Sequence, residues 1–142
     1  MTDPQELDRW QTAAASAMAG ELASLEWTRA VLRVNSVGVM SEASAELSRP
    51  GGTVEPVAAP AEAFGRMLDL RALMAGDGHG AWLSATLTLT RTPDGHLDFV
   101  VDYNYDTRPK WQLEPDDLAY VEDLADHPRA PEEIPGWYPT TG

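Results

Sequence analysis

Two stretches of period-two alternation joined by a tight turn constrain this chain more than any other feature. Residues 81–90, AWLSATLTLT, and 96–106, HLDFVVDYNYD, flank Thr92-Pro93-Asp94-Gly95. An Asp-Gly step between alternating runs signals a β-hairpin, because the tight turn needs positive φ, which glycine adopts at no steric cost. In the first predicted strand Leu83, Ala85, Leu87 and Leu89 face the core and Trp82, Ser84, Thr86 and Thr88 face away. In the second, Phe99, Val101, Tyr103 and Tyr105 oppose Asp98, Asp102, Asn104 and Asp106. Such a sheet has one apolar, helix-covered face and one polar, acidic, open face, as antiparallel sheets permit.

The rest of the chain supplies partners for that hairpin. Asp3, Pro4 and Glu6 form a helix start, and Leu7, Trp10, Ala14, Ala17 and Met18 recur at helical spacing to about Gly20. From Trp27 the period becomes two, with Thr28, Ala30, Leu32 and Val34 on one side and Trp27, Arg29, Val31 and Arg33 on the other. A second strand covers Ala43–Leu47. Arg49–Ala61, with two glycines and three prolines, is a loop with room for an irregular edge strand at 53–57. Pro60 opens a helix to about Ala75 with Phe64, Met67, Leu68, Arg71 and Met74 at helical offsets, and the run Gly76–Gly80 is turn material. A last helix, Pro115 to about Asp126, presents Leu118, Val121 and Leu124. A proline-broken tail at about 127–142 is held by Ile134 and Trp137. The expectation is a single α+β domain over 1–142, built on a mainly antiparallel sheet of about four to five strands with helices packed on one face.

A chain of 142 residues suits one hydrophobic core and needs neither metal nor disulfide to hold it. It has no cysteine, which removes thiolate metal sites and cysteine nucleophiles and suits a reducing compartment. The start, MTDPQELDRW, lacks a basic and an apolar leader region, and no stretch approaches the ~18 apolar residues of a membrane span, so a cytoplasmic location is expected. With 23 acidic and 10 basic residues the net charge is −13, which opposes binding to nucleic acids and anionic membranes. Residues 94–142 hold 12 of the acids and 3 of the bases. Such a field either serves solubility or draws in a basic partner.

No motif points to catalysis. Asp102, Asn104 and Asp106 have the spacing that opens a calcium loop, but Thr107 stands where the loop needs glycine and Leu113 where it needs glutamate. His79, His96 and His127 stand singly, without metal-ligand spacing. The pairs Asp116-Asp117 and Glu132-Glu133 sit at a helix start and in the tail, where acids are usually solvated. The expectation is a non-enzyme without cofactor or metal.

The five tryptophans are more informative. Trp10 falls on a core stripe, Trp27 and Trp82 on the outer register of strands, Trp111 after Arg108-Pro109-Lys110, and Trp137 in the tail. Two or three could pack beneath the C-terminal segment, Trp137 first. Alternatively, Trp82, Trp111 and the acids of Tyr103–Asp106 make a mixed aromatic and charged patch, the composition of interface hot spots.

From Trp82 onward, the threonine-rich strand, the Asp-Gly turn, VDYNYDTRPKW, EPDDLAYVEDLADHPR and IPGW together resemble the YezG-type immunity proteins, antitoxins of bacterial polymorphic toxins, especially actinobacterial members. The resemblance covers about the last sixty residues and extends to the N-terminal half only as a layout. It implies a protein that binds the enzymatic domain of a cognate secreted toxin, of nuclease or NAD-consuming class, and occludes its active site. The partner would be basic, and the expected contacts are Trp82, Asp102, Asn104, Asp106, Arg108 and Trp111. The competing readings are a cytoplasmic secretion chaperone or adaptor, and a small-molecule-binding domain with an apolar pocket under the sheet.

Overall fold

The structure, a computed structural model, describes residues 3–76 and 78–141, so Asp77 of the glycine-rich turn lies outside the described residues. Helix α1 (Pro4–Glu21) starts as expected: Asp3 caps it, its carboxylate accepting the Gln5 N–H at 2.9 Å. Strands β1 (Arg29–Val37) and β2 (Met40–Ser48) turn at Gly38, whose φ is 60°. A Cβ there would also come within 2.8 Å of the Ala119 carbonyl oxygen, so both backbone and space demand glycine. Strand β3 (Val54–Val57) and helix α2 (Ala61–Met74) follow. Then come β4 (Ser84–Arg91), β5 (Leu97–Asn104), α3 (Asp117–Asp126) and a 3-10 turn at Pro131–Glu133. The five strands form one antiparallel sheet in the order β3-β2-β1-β4-β5, and the fold is α+β with helices packed against the sheet.

The main core lies between the sheet and the α1–α2 pair. Ala30, Leu32 and Val34 of β1 and Leu87 and Leu89 of β4 meet Met18 of α1 and Met67 and Leu70 of α2, all buried. Each large apolar side chain removed from water contributes about 1.5–3 kcal/mol before chain entropy is counted. The two helices also complete each other. Pro60 offers no capping side chain to α2, and Glu21 at the end of α1 takes that part, accepting the Ala63 N–H at 2.9 Å and the Glu62 N–H at 3.2 Å.

A second cluster, Val37, Leu83, Ala119, Tyr120 and Tyr138, closes the end of the sheet where α3 and the C-terminal segment pack. Arg71 of α2 and Asp123 of α3, 6% and 3% exposed, join the two regions. Arg71 Nη2 sits 2.8 Å from Asp123 Oδ1, a close ion contact without hydrogen-bond alignment. Its Nε donates to the Trp82 carbonyl at 2.6 Å, and Asp123 accepts the Gly38 N–H at 3.0 Å.

The structure departs from the sequence expectations at several faces. Trp10 is 38% exposed, because the buried side of α1 runs through Ala14, Ala15 and Met18 and leaves Trp10 on a flank beside Arg66 and Asp69 of α2. The buried face of α3 carries Ala119, Tyr120 and Asp123, one step from the expected stripe, and Leu118 points to solvent. Leu70, absent from the expected α2 stripe, is fully buried. Ile134 and Trp137 do pack under the tail, with Tyr138 as the deeper anchor.

Candidate protein-binding surface

Of the six expected contact residues, the structure removes Trp82 from the surface. It is 0% exposed, its ring 6.1 Å from that of Tyr103 and 5.9 Å from the Arg71 guanidinium. The expected alternation ran two residues beyond the true start of β4 at Ser84. Before it the chain turns at Gly80, φ 71°, and carries the indole into the core. Trp27 behaves alike: it precedes β1, is buried, and donates its indole N–H to the Leu22 carbonyl at 3.2 Å.

Asn104 is half-buried and structural. Its side-chain oxygen accepts the Thr107 N–H at 2.9 Å while its amide donates to the Thr107 carbonyl and the Ser84 hydroxyl, fixing the exit from β5. Arg108 and Trp111 do come together, around Tyr120, and Asp106 joins them through its backbone carbonyl. Trp111 donates its indole N–H to the Tyr120 hydroxyl at 3.0 Å, and Trp137 donates to the Asp106 carbonyl at 2.7 Å. The Arg108 guanidinium lies 5.7 Å from the Tyr120 ring and 5.6 Å from the Trp137 ring while holding Glu114. Burial pushes the Tyr120 phenol above its ordinary range, against the Trp111 hydrogen bond. Trp111 is therefore half-covered, while the Asp106 carboxylate, exposed on its outer side, lies 3.8 Å from Nη1 of the buried Arg129. Asp102 stands apart, exposed on β5 opposite Thr86.

The open sheet face is less uniformly acidic than expected. Arg29 and Arg33 of β1 run down its middle, Arg33 pairing with Glu46 at 3.1 Å, and the unpaired acids gather on β5 as Asp98 and Asp102. A polar groove of about 470 Å³ opens on this face, lined by Arg33, Glu42, Thr86, Asn104, Arg108 and Lys110 among others. Glu42 anchors its wall by accepting the Gln112 N–H at 2.9 Å and the Leu113 N–H at 3.3 Å.

Sequence reasoning passed over the edge. β5 pairs with β4 on one side and, among the described residues, with no strand on the other, and Leu97, Phe99 and Val100 are 41%, 36% and 52% exposed. Alternation marks the two faces of a strand, and nothing in it tells a central strand from a border one.

Among the described residues, no group of three or more His, Asp or Glu is placed to hold a metal ion, and no helix is long and apolar enough to cross a membrane. Fold and surface define a small α+β protein with a mixed outer sheet face and an open, acidic border strand. No protein-family model and no curated protein sequence matches the chain.

Proposed function

We propose that the chain is an immunity protein of the YezG type, acting in the cytoplasm, which binds the basic enzymatic domain of a cognate secreted toxin and occludes its active site. The observation that carries this reading is the flank formed by β5 and the segment after it. Asp98, Asp102 and Asp106 are exposed there beside the exposed apolar side chains of Leu97, Phe99 and Val100. Exposed apolar side chains of this kind, rimmed by charge, mark a surface that a partner can cover. An acidic flank complements the basic cleft that nuclease chemistry requires, and such complementarity speeds encounter and rejects wrong partners. The resemblance of VDYNYDTRPKW and the residues that follow to immunity proteins points the same way.

The test is co-expression with the products of neighbouring genes, reading growth and co-purification. The native chain restores growth and is recovered in stoichiometric complex with a toxic enzymatic domain. The double change Asp102→Lys and Asp106→Lys, whose melting temperature is checked because Asp106 lies 3.8 Å from the buried Arg129 guanidinium, lowers neutralisation at least tenfold in the folded variant. Stoichiometric capture of a non-toxic client would replace this reading with that of a secretion chaperone or adaptor.

A further inference from the structure

We infer that the free edge of β5 is itself the docking element, and that it takes an extended, basic segment of the partner as a sixth strand of the sheet; this rests on the protein-binding reading above. The hydrogen-bond phase of the hairpin is the starting point. The Thr92 N–H donates to the His96 carbonyl at 2.8 Å, so His96 addresses the β4 side. In an antiparallel ladder the backbone groups of alternate residues point to opposite sides. Asp98, Val100 and Asp102 therefore address β4, and Leu97, Phe99 and Val101 hold their N–H and C=O groups outward. Among the described residues, nothing bonds to those outward groups.

Natural sheets shield such borders with short strands, proline or charged side chains, lysine above all. The opposite border follows that rule: β3 has four residues and Pro56 among them. β5 has eight residues and no proline, glycine or lysine, and exposes Leu97, Phe99 and Val100. What it does carry, on the outer face, is acid at Asp98 and Asp102.

Those two acids select the occupant. A second copy of this chain is a poor one, because the antiparallel register that overlaps all of Leu97–Tyr103 sets Asp98 opposite Asp102 of the other copy, twice. Like charges directly opposed destabilise a strand pair, and each copy brings a net charge of −13. A segment alternating basic and apolar residues fits instead, its basic side chains beside Asp98 and Asp102 and its apolar ones beside Phe99 and Val101. Main-chain hydrogen bonds then supply affinity and alternate side chains supply selectivity, as in strand addition generally.

The probe is the synthetic peptide (Lys-Val)4, compared with Lys4Val4, which has the same charge without the alternation, and with (Glu-Val)4. Calorimetry reads affinity and amide exchange reads location. The expected result is at least tenfold tighter binding of (Lys-Val)4 than of either control, with added protection at Leu97, Phe99 and Val101. Phe99→Pro removes one outward N–H and leaves the ladder to β4 intact; it should lower affinity at least tenfold. If its melting temperature shows it unfolded, Leu97→Pro at the strand start takes its place. Equal binding of the two lysine peptides, protection elsewhere, undiminished binding by a folded proline variant, or a native homodimer sealed at this edge would each overturn the inference. The two readings fail separately. Toxin neutralised by the proline variant and lost in the Asp102→Lys, Asp106→Lys variant leaves the immunity reading and ends edge docking. Peptide bound at the edge with no toxin neutralised does the reverse.

Discussion

Arg71 is a buried charge on which several elements depend. A guanidinium 6% exposed is tolerable only because Asp123, the Trp82 carbonyl and the Trp82 ring surround it, and Asp123 in turn holds the Gly38 turn. The pair thereby ties α2, α3, the β1–β2 turn and the approach to β4 at one point. Removing one partner of a buried pair strands the other charge, at a cost of about 3–5 kcal/mol, whereas replacing both by apolar groups can be close to neutral. Arg71→Met is therefore expected to destabilise by about that amount in urea unfolding. Arg71→Met with Asp123→Leu should recover most of the loss, short of about 1–3 kcal/mol for the Gly38 N–H left unpaired. A double variant no more stable than the single one would show that the pair acts through packing alone.

Among the elements, the C-terminal segment is held by a group that titrates. Tyr138 packs edge-on against Tyr120, donates its hydroxyl hydrogen to the Tyr120 carbonyl at 3.0 Å, and is pushed by burial from 10.0 up to about 12. Burial raises Tyr103 as well. Between pH 10 and 12 the folded state keeps protons that the unfolded state has lost, so stability is complete below pH 10 and falls as pH rises through that window. Tyr138→Phe should cost about 1 kcal/mol at neutral pH for the lost hydrogen bond and make the alkaline decline shallower, measured by unfolding at stepped pH. The elements also separate what the sequence could reveal from what it could not. The Asp3 cap and the Asp94-Gly95 hairpin were legible because their determinants lie within a few residues. The border position of β5 was not, because it depends on β4 pairing with β1, more than fifty residues earlier. Trp82 was misplaced for a related reason: a period of two marks faces only inside a strand, and the strand begins at Ser84. The exposure of Asp102, Asp106 and Arg108 was therefore legible, and the burial of the Trp82 indole was not.

At the scale of the molecule, charge would decide how the proposed basic partner arrives. Twelve of the 23 acids fall in residues 94–142, with Asp98 and Asp102 exposed on β5 itself. Association with a basic partner should accordingly slow by at least tenfold as ionic strength rises from about 0.01 M to 1 M, where the screening length shrinks from about 30 Å to about 3 Å. Stopped-flow rates would check this, with dissociation nearly constant; a salt-independent on-rate would place the contacts away from the acidic side. The two unequal borders of the sheet carry one more consequence. With Pro56 interrupting β3 and β5 left open, the sheet has a single growing end. A strand added at β5 finds no matching acceptor on the far side of another copy, so pairing stops after one addition. On the proposed edge docking, the molecule would act as a chain terminator, holding an exposed strand without seeding a fibre.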